Sequence, residues 1–156
     1  MHAITFHDLE SLSYEVVPDP ELVDDTDVIV RVTAAGVCGS DLHPYFGREV
    51  GLDVGTVMGH ELLGEIVEVG VSVTSFSVGD RVVAPFTTSC GSCFYCLRGL
   101  TARCDHSQLF GWVESGSGLH GAQAEYVRVP HADGTLVPVP DGLDEAVALL
   151  SGDILS

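Results

Sequence analysis

The sequence contains no lysine, and its six arginines stand against 23 acidic residues, which gives a formal net charge of −17 over 156 residues. Such an excess of negative charge repels nucleic acid and anionic membrane surfaces, so we expect neither as a partner. Two interpretations of the acidity stay open. The charge attracts a cationic substrate, or it forms a solvated acidic surface that keeps the protein soluble, and the second interpretation assumes less.

The sequence also lacks a long apolar run. No uninterrupted stretch reaches the ~20 residues of a membrane span, and the first seven residues, MHAITFH, do not resemble a signal peptide. We therefore expect a cytoplasmic protein. Its 46% hydrophobic content and its length are those of one globular domain with a core of its own.

Helix signals are scarce. Eighteen glycines and seven prolines are scattered along the chain, which is typical of many turns between short strands. Alternating β-branched residues predict strands over residues 3–6, 14–17, 27–37, 62–69, 81–85, 124–130 and 136–140. The one predicted helix has Asp144 as its N-cap and covers 145–150. We expect a mainly β fold, a partly open β-barrel with a few short helices.

Four of the five cysteines lie close together, at positions 90, 93, 96 and 104. Three thiols at three-residue intervals with a fourth nearby are able to surround one ion tetrahedrally, as a structural zinc site requires. A disulfide cluster is the rival interpretation, and a set of unrelated buried cysteines is the simplest one. Disulfide-dense domains are usually small and secreted, so zinc is favoured.

The fifth cysteine, Cys38, directly follows a predicted strand, and Gly59-His60-Glu61 directly precedes another. Taken separately, a small buried cysteine and a core histidine with satisfied hydrogen bonds are the commoner outcomes. Together they suggest a second and different zinc site, built from one thiolate and one imidazole with an open face.

These motifs resemble those of the zinc-dependent medium-chain alcohol dehydrogenases. The order and spacing of VCGSD at 37–41, GHELLG at 59–64, VGDRV at 78–82 and the four clustered cysteines are similar to that family's N-terminal catalytic, GroES-like domain. The resemblance covers essentially residues 1–156, with a zinc-binding lobe at about 88–106. It implies two zinc ions per chain: a catalytic one on Cys38 and His60, and a structural one on Cys90, Cys93, Cys96 and Cys104.

The resemblance also implies a third catalytic ligand near the end of the domain, a cysteine in some branches and a carboxylate in others. The matching stretch is LSGDIL at 150–155, so Asp153 is the candidate, as in the branch that contains formaldehyde dehydrogenases. A helix-capping aspartate is the alternative role for this residue. Glu61 is the alternative ligand or an exchanging fourth one.

The remaining polar residues near Cys38 take their roles from the same resemblance. Ser40 and His43 match a relay of hydroxyl and imidazole that carries a proton out of the site, and Asp41 would orient His60 through its other ring nitrogen. Alternatively, Ser40 and Asp41 stabilise a turn and His43 is merely exposed.

One further motif is rejected. Residues 116–121, GSGLHG, match the G-x-G-x-x-G pattern of dinucleotide sites, but that pattern works only between a strand and a helix, and here a predicted strand follows it. The family's Rossmann domain would come directly after residue 156, so we expect a truncated chain that is nearly inactive alone.

The expected function is oxidation of a small alcohol to an aldehyde or ketone. NAD or NADP would act only in the full-length enzyme, which we expect to form a homo-oligomer. A stand-alone, non-catalytic zinc-binding module or a gene fragment is the alternative.

Overall fold

The computed structural model describes residues 1–152 and forms a mainly β structure in this range. Its nine strands and three short α-helices, all within the described residues, follow one another in this order: β1 (His2–Asp8), β2 (Ser11–Val16), β3 (Val28–Ala35), α1 (Leu42–Tyr45), β4 (Leu62–Val69), β5 (Arg81–Ala84), β6 (Trp112–Glu114), β7 (Ser117–Leu119), β8 (Tyr126–Val129), α2 (Ala132–Thr135), β9 (Val137–Pro138) and α3 (Glu145–Leu150). None of the described helices is long and apolar enough to span a bilayer.

Five of the strands form one antiparallel sheet in the order β8-β3-β4-β5-β9. The β1–β2 and β6–β7 hairpins complete the wall, and isolated bridges from Ala3 to Ala124 and from Thr5 to Val57 attach the first hairpin to the rest. The outer strands β8 and β9 do not pair with each other, so the barrel is partly open, as predicted.

The interior of the barrel is filled by β-branched and other apolar side chains from the sheet and from the β6–β7 region. Alternate residues of the central strands point inward because successive side chains in a strand face opposite sides. The fully buried members include Val28, Val30, Leu62, Ile66, Val82, Phe110 and Val129. A smaller cluster of Leu63, Val83 and Ala148 fixes α3 against the opposite face of the sheet.

The predicted elements agree with the structure in most places. Strand β4 and helix α3 have the predicted bounds, and the Asp144 side chain accepts hydrogen bonds from the N–H groups of Ala146 and Val147, as an N-cap does. The last strand is only two residues long because Pro138 and Pro140 have no N–H to donate to a ladder.

The β6–β7 hairpin was not predicted. The rejected glycine motif supplies its turn and second strand, and Asp53 holds that turn by accepting hydrogen bonds from Ser115 N–H and Gly116 N–H. Within the described residues the motif leads into strand β7 and no helix begins there, unlike the strand, turn and helix of a dinucleotide site.

One buried ion pair stabilises the sheet edge next to β3. Arg128 Nη1 lies 2.9 Å from Asp27 Oδ2, and the side chains are 18% and 1% exposed. The same carboxylate accepts the N–H groups of Val23 and Asp24. Asp27 Oδ2 therefore accepts hydrogen bonds from three donors in two parts of the chain.

Replacing Arg128 with methionine should lower the free energy of unfolding by about 3 kcal/mol, because it leaves the Asp27 carboxylate buried without a countercharge. Urea unfolding at neutral pH measures this. Arg31→Met is the matched control: it breaks a pair with Glu65 whose side chains are 50% and 37% exposed, and such pairs contribute about 0–1 kcal/mol. Equal losses in the two variants would contradict the role assigned to the buried pair.

Candidate metal centres and the adjoining cavity

The pairing of β3 with β4 brings Cys38 and His60 to one edge of the sheet. Ala35, the last residue of β3, pairs with Leu62, the first residue of β4. Cys38 follows the end of one strand by three residues and His60 precedes the start of the other by two. Antiparallel register therefore places two residues that are 22 positions apart in sequence beside each other.

Gly59 sets the backbone immediately before His60. Its φ of +94° lies in the left-handed region, and a Cβ atom there would approach Gln123 Cγ to 2.5 Å. Glycine alone adopts this conformation without strain, so the sharp bend before His60 depends on it.

The thiol of Cys38 and the imidazole of His60 face each other. Cys38 Sγ lies 3.0 Å from His60 Nε2, and Ser40 N–H donates a hydrogen bond to the same sulfur at 3.2 Å. The N–H of Ser40 helps to fix the position of this sulfur, and cysteine sulfur is a preferred ligand of zinc.

Asp41 holds both residues in place. Its Oδ2 accepts a hydrogen bond from Cys38 N–H at 2.9 Å, and its Oδ1 lies 3.4 Å from His60 Nδ1. The hydrogen bond to this carboxylate, together with the negative charges of Asp41 and Cys38, raises the pKa of His60 to about 9 despite partial burial. With Nδ1 engaged by Asp41, Nε2 is the ring nitrogen directed at Cys38.

The donor atoms of this cluster fit a zinc ion. One ligand atom each from Cys38, Asp41 and His60 lie within 4.8 Å of one another. Sulfur and nitrogen ligands bound to one zinc ion at about 2.3 Å and 2.0 Å lie at most about 4.3 Å apart, so the observed Cys38–His60 separation is compatible with a shared metal.

Of the two predicted carboxylate ligands, Glu61 alone lies within the described residues. Glu61 is buried, and its carboxylate packs so closely on Gly36 that a Cβ atom at that position would lie 2.1 Å from Oε2. It is not a member of the Cys38 cluster in the described part of the chain. Asp153 lies outside the described residues.

A cavity of about 340 Å³ opens beside this cluster. Ser40, His43 and His60 line it on the polar side, so the predicted relay residues border the same space as the predicted ligand. Phe86, Phe110 and Trp112 contribute aromatic side chains to its lining. Phe86, Phe110 and Glu49 were not predicted from the sequence as lining residues.

The second cluster is the lobe between β5 and β6. The sulfur atoms of Cys90, Cys93, Cys96 and Cys104 all lie within 4.8 Å of one another, and none of the four cysteines forms a disulfide. The separation of 4.0 Å between Cys93 Sγ and Cys104 Sγ is about twice the S–S bond length. This close set of four thiols fits one tetrahedral zinc ion.

Backbone N–H groups surround the sulfurs. Cys104 Sγ accepts from Cys90 N–H at 3.2 Å and from His106 N–H at 3.3 Å, and the N–H of Ser92 is the main cause that lowers the pKa of Cys90 to about 5. Burial, followed by neighbouring thiols, raises the pKa of Cys96 to about 12. The four thiols together become thiolates only when a cation offsets their mutual repulsion.

The lobe is closed at its base by a short neck. Thr88 N–H donates to Gln108 O at 2.9 Å, Gln108 N–H donates to Thr88 Oγ1 at 2.9 Å, and Thr87 bridges Leu109. Ser89 N–H donates to Thr135 Oγ1 at 3.0 Å and so joins the neck to α2.

Comparison with known proteins defines the family. The family model for the alcohol dehydrogenase GroES-like domain matches residues 24–141. The chain is 49% identical to the medium chain reductase/dehydrogenase ucsI of an Acremonium species, over 99% of this chain and 51% of that protein. It is also 49% identical to zinc-type alcohol dehydrogenase B of Aspergillus flavus, over 99% of this chain and 35% of that protein.

Solved structures give the same result. Alcohol dehydrogenase TADH from Thermus sp. ATN1 matches with a TM-score of 0.94 at 39% identity, over 99% of this chain and 44% of that one. The apo form of zinc dependent alcohol dehydrogenase 2 from Streptococcus pneumonia matches with a TM-score of 0.84 at 37% identity, over 96% of this chain and 41% of that one.

The fold and the two cysteine-containing clusters therefore define a zinc-type, medium-chain oxidoreductase domain. The chain belongs to the alcohol dehydrogenase GroES-like domain family. It spans 51% and 35% of the length of the two curated relatives above.

Proposed function

We propose that this chain is the zinc-binding catalytic domain of an alcohol dehydrogenase-like oxidoreductase that acts on a small alcohol or aldehyde. The observation that carries the proposal is the 3.0 Å approach of Cys38 Sγ to His60 Nε2 beside a cavity of small-molecule size. Zinc held by these residues would supply a Lewis acid that lowers the pKa of an alcohol oxygen.

The chain's own residues orient the ligands and move the proton. Asp41 fixes the direction of the His60 ring, and Ser40 N–H donates to Cys38 Sγ and holds it beside His60. The Ser40 hydroxyl and the His43 imidazole border the cavity and are exposed. They therefore offer a path by which an alcohol proton leaves for solvent, since imidazole exchanges protons near neutral pH.

Asp153 is the proposed third ligand of the catalytic zinc, with Glu61 as the alternative or exchanging ligand. The position of Gly152 supports this choice. A Cβ atom on Gly152 would lie 2.7 Å from the carbonyl oxygen of Ala84, and Ala84 pairs with Leu62 at the sheet edge that carries His60. The chain thus reaches the metal-site edge one residue before Asp153.

The lobe at about 88–106 is proposed to bind a second, structural zinc through its four cysteines, within one GroES-like domain that covers residues 1–156. We further propose that turnover requires a Rossmann domain carrying NAD or NADP, because no described segment of this chain has the strand, glycine turn and helix of a dinucleotide site. The complete enzyme is proposed to be a cytoplasmic homo-oligomer.

Metal analysis with Asp153→Asn tests the catalytic site. We expect two zinc ions per wild-type chain and an affinity for the catalytic ion that is about 10–100-fold weaker in the variant, because an amide is a poorer zinc ligand than a carboxylate. Asp141→Asn, an exposed change of the same kind and charge, is the control and should retain both ions.

Each result has a definite consequence for the proposal. If Asp153→Asn binds the catalytic zinc as tightly as the wild type, Asp153 is not a ligand, and the same measurement on Glu61→Gln then tests the alternative ligand. A wild-type protein that binds only the lobe zinc would overturn the proposed catalytic function.

A further inference from the structure

The cavity beside Cys38 and His60 has a negatively charged side chain in its wall, besides the residues of the proposed metal site, and no arginine or lysine. Glu49 lines the cavity together with His43, Phe86 and Trp112. Of the six arginines, all within the described residues, none lines the cavity, and the sequence has no lysine. Glu49 is therefore an acidic lining residue outside the proposed metal site.

The Glu49 carboxylate is available to a ligand. Its backbone N–H donates to His43 O at 3.3 Å, which fixes the residue at the cavity, while within residues 1–152 its side chain has no hydrogen bond or ion pair. The neighbouring Arg48 lies instead over the Phe46 ring, 5.6 Å from the ring centroid. The nearest arginine in sequence thus does not neutralise Glu49.

The aromatic walls add a second feature that attracts cations. Phe86, Phe110 and Trp112 line the same cavity, and the faces of aromatic rings attract ammonium groups. The indole Nε1–H of Trp112 donates to Glu114 Oε2 at 3.3 Å. This hydrogen bond increases the electron density of the ring and adds another carboxylate next to the cavity wall.

We propose that Glu49 is a specificity-determining residue that makes this cavity select alcohols carrying an ammonium group over neutral or anionic alcohols. The inference rests on the proposed function, which places the hydroxyl end of the substrate at Cys38 and His60. Glu49 and the aromatic rings then bind the cationic end of the same molecule. The net charge of −17 acts in the same direction at longer range, since it raises the local concentration of cations.

Three alcohols of matched size and shape test this proposal. Choline carries a trimethylammonium group, 3,3-dimethylbutan-1-ol replaces that group by a neutral tert-butyl group, and 2-hydroxyethanesulfonate replaces it by an anion. Trp112 is the single tryptophan of the chain, so its fluorescence in the zinc-loaded protein reports binding without turnover. Trp112→Phe confirms the source of the signal.

We expect choline to bind about tenfold more tightly than the neutral alcohol, with the sulfonate weakest, because an exposed ion pair and a cation–π contact act together. Glu49→Gln should reduce the choline preference to about threefold, since the aromatic rings remain. Glu68→Gln, an exposed change on β4 that alters the net charge equally, should leave the tenfold ratio unchanged.

Several outcomes would overturn the inference. Equal affinities for choline and the neutral alcohol in the wild type, no saturable response to choline, or equal effects of Glu49→Gln and Glu68→Gln would each do so. Absence of the catalytic zinc would overturn the proposed function instead, and metal analysis of the same samples separates the two failures.

Discussion

Cys38→Ser is expected to lower the zinc content from about two ions per chain to about one, and to reduce turnover by the complete enzyme about 1000-fold or more. A serine hydroxyl does not ionise near neutral pH, so the variant replaces an anionic ligand by a weak neutral one. A bound metal contributes several kcal/mol of charge stabilisation during such reactions, and each 1.36 kcal/mol corresponds to a factor of ten in rate.

Metal analysis after dialysis against a weak chelator measures the change. Ser40→Ala is the control in the same loop: it keeps the backbone N–H that donates to Cys38 Sγ, so both zinc ions should remain. Retention of two ions by Cys38→Ser would remove Cys38 from the catalytic site and contradict the site described above.

Cys104→Ser is expected to remove the other zinc ion and unfold the lobe. Cys104 is the buried member of the set and accepts two backbone hydrogen bonds. Structural zinc binding contributes about 10–16 kcal/mol in small zinc domains, so the short segments of the lobe have little to hold them once the metal is lost.

Trypsin digestion locates the unfolding, because a chain without lysine offers cleavage only after its six arginines. Arg98 and Arg103 lie in the lobe, whereas Arg31, Arg81 and Arg128 lie in strands. Cleavage after Arg98 and Arg103 should become at least about tenfold faster in Cys104→Ser.

Cys38→Ser serves as the reciprocal control for this digestion. It loses the other ion and should keep the lobe resistant to trypsin. Equal resistance of the wild type and Cys104→Ser would show that the lobe folds without metal.

The sequence predicts which side chains cluster better than it predicts what surrounds them. The spacing of the four clustered cysteines is a local property, so their proximity was predictable without knowledge of the fold. Cys38 and His60 were identified from their neighbours in sequence, and their convergence follows from the pairing of Ala35 with Leu62. That register was available in principle, because strands β3 and β4 were both predicted and alternate clearly.

The cavity walls were not predictable in the same way. Glu49 lies between α1 and β4, Phe86 and Phe110 lie at the two ends of the segment between β5 and β6, and Trp112 begins β6, so these residues share no periodicity. The β6–β7 hairpin that carries Trp112 has strands of only three residues, too short for alternation to be recognised. Tertiary packing alone brings these residues together.

The neck formed by Thr88 and Gln108 makes the structure of the barrel independent of changes in the lobe. Its hydrogen bonds close the two ends of the insertion whatever lies between them. The lobe can therefore accumulate insertions, deletions or a change of metal during evolution while β5 and β6 keep their positions. Its sequence is free to diverge, and the barrel that carries it stays the same.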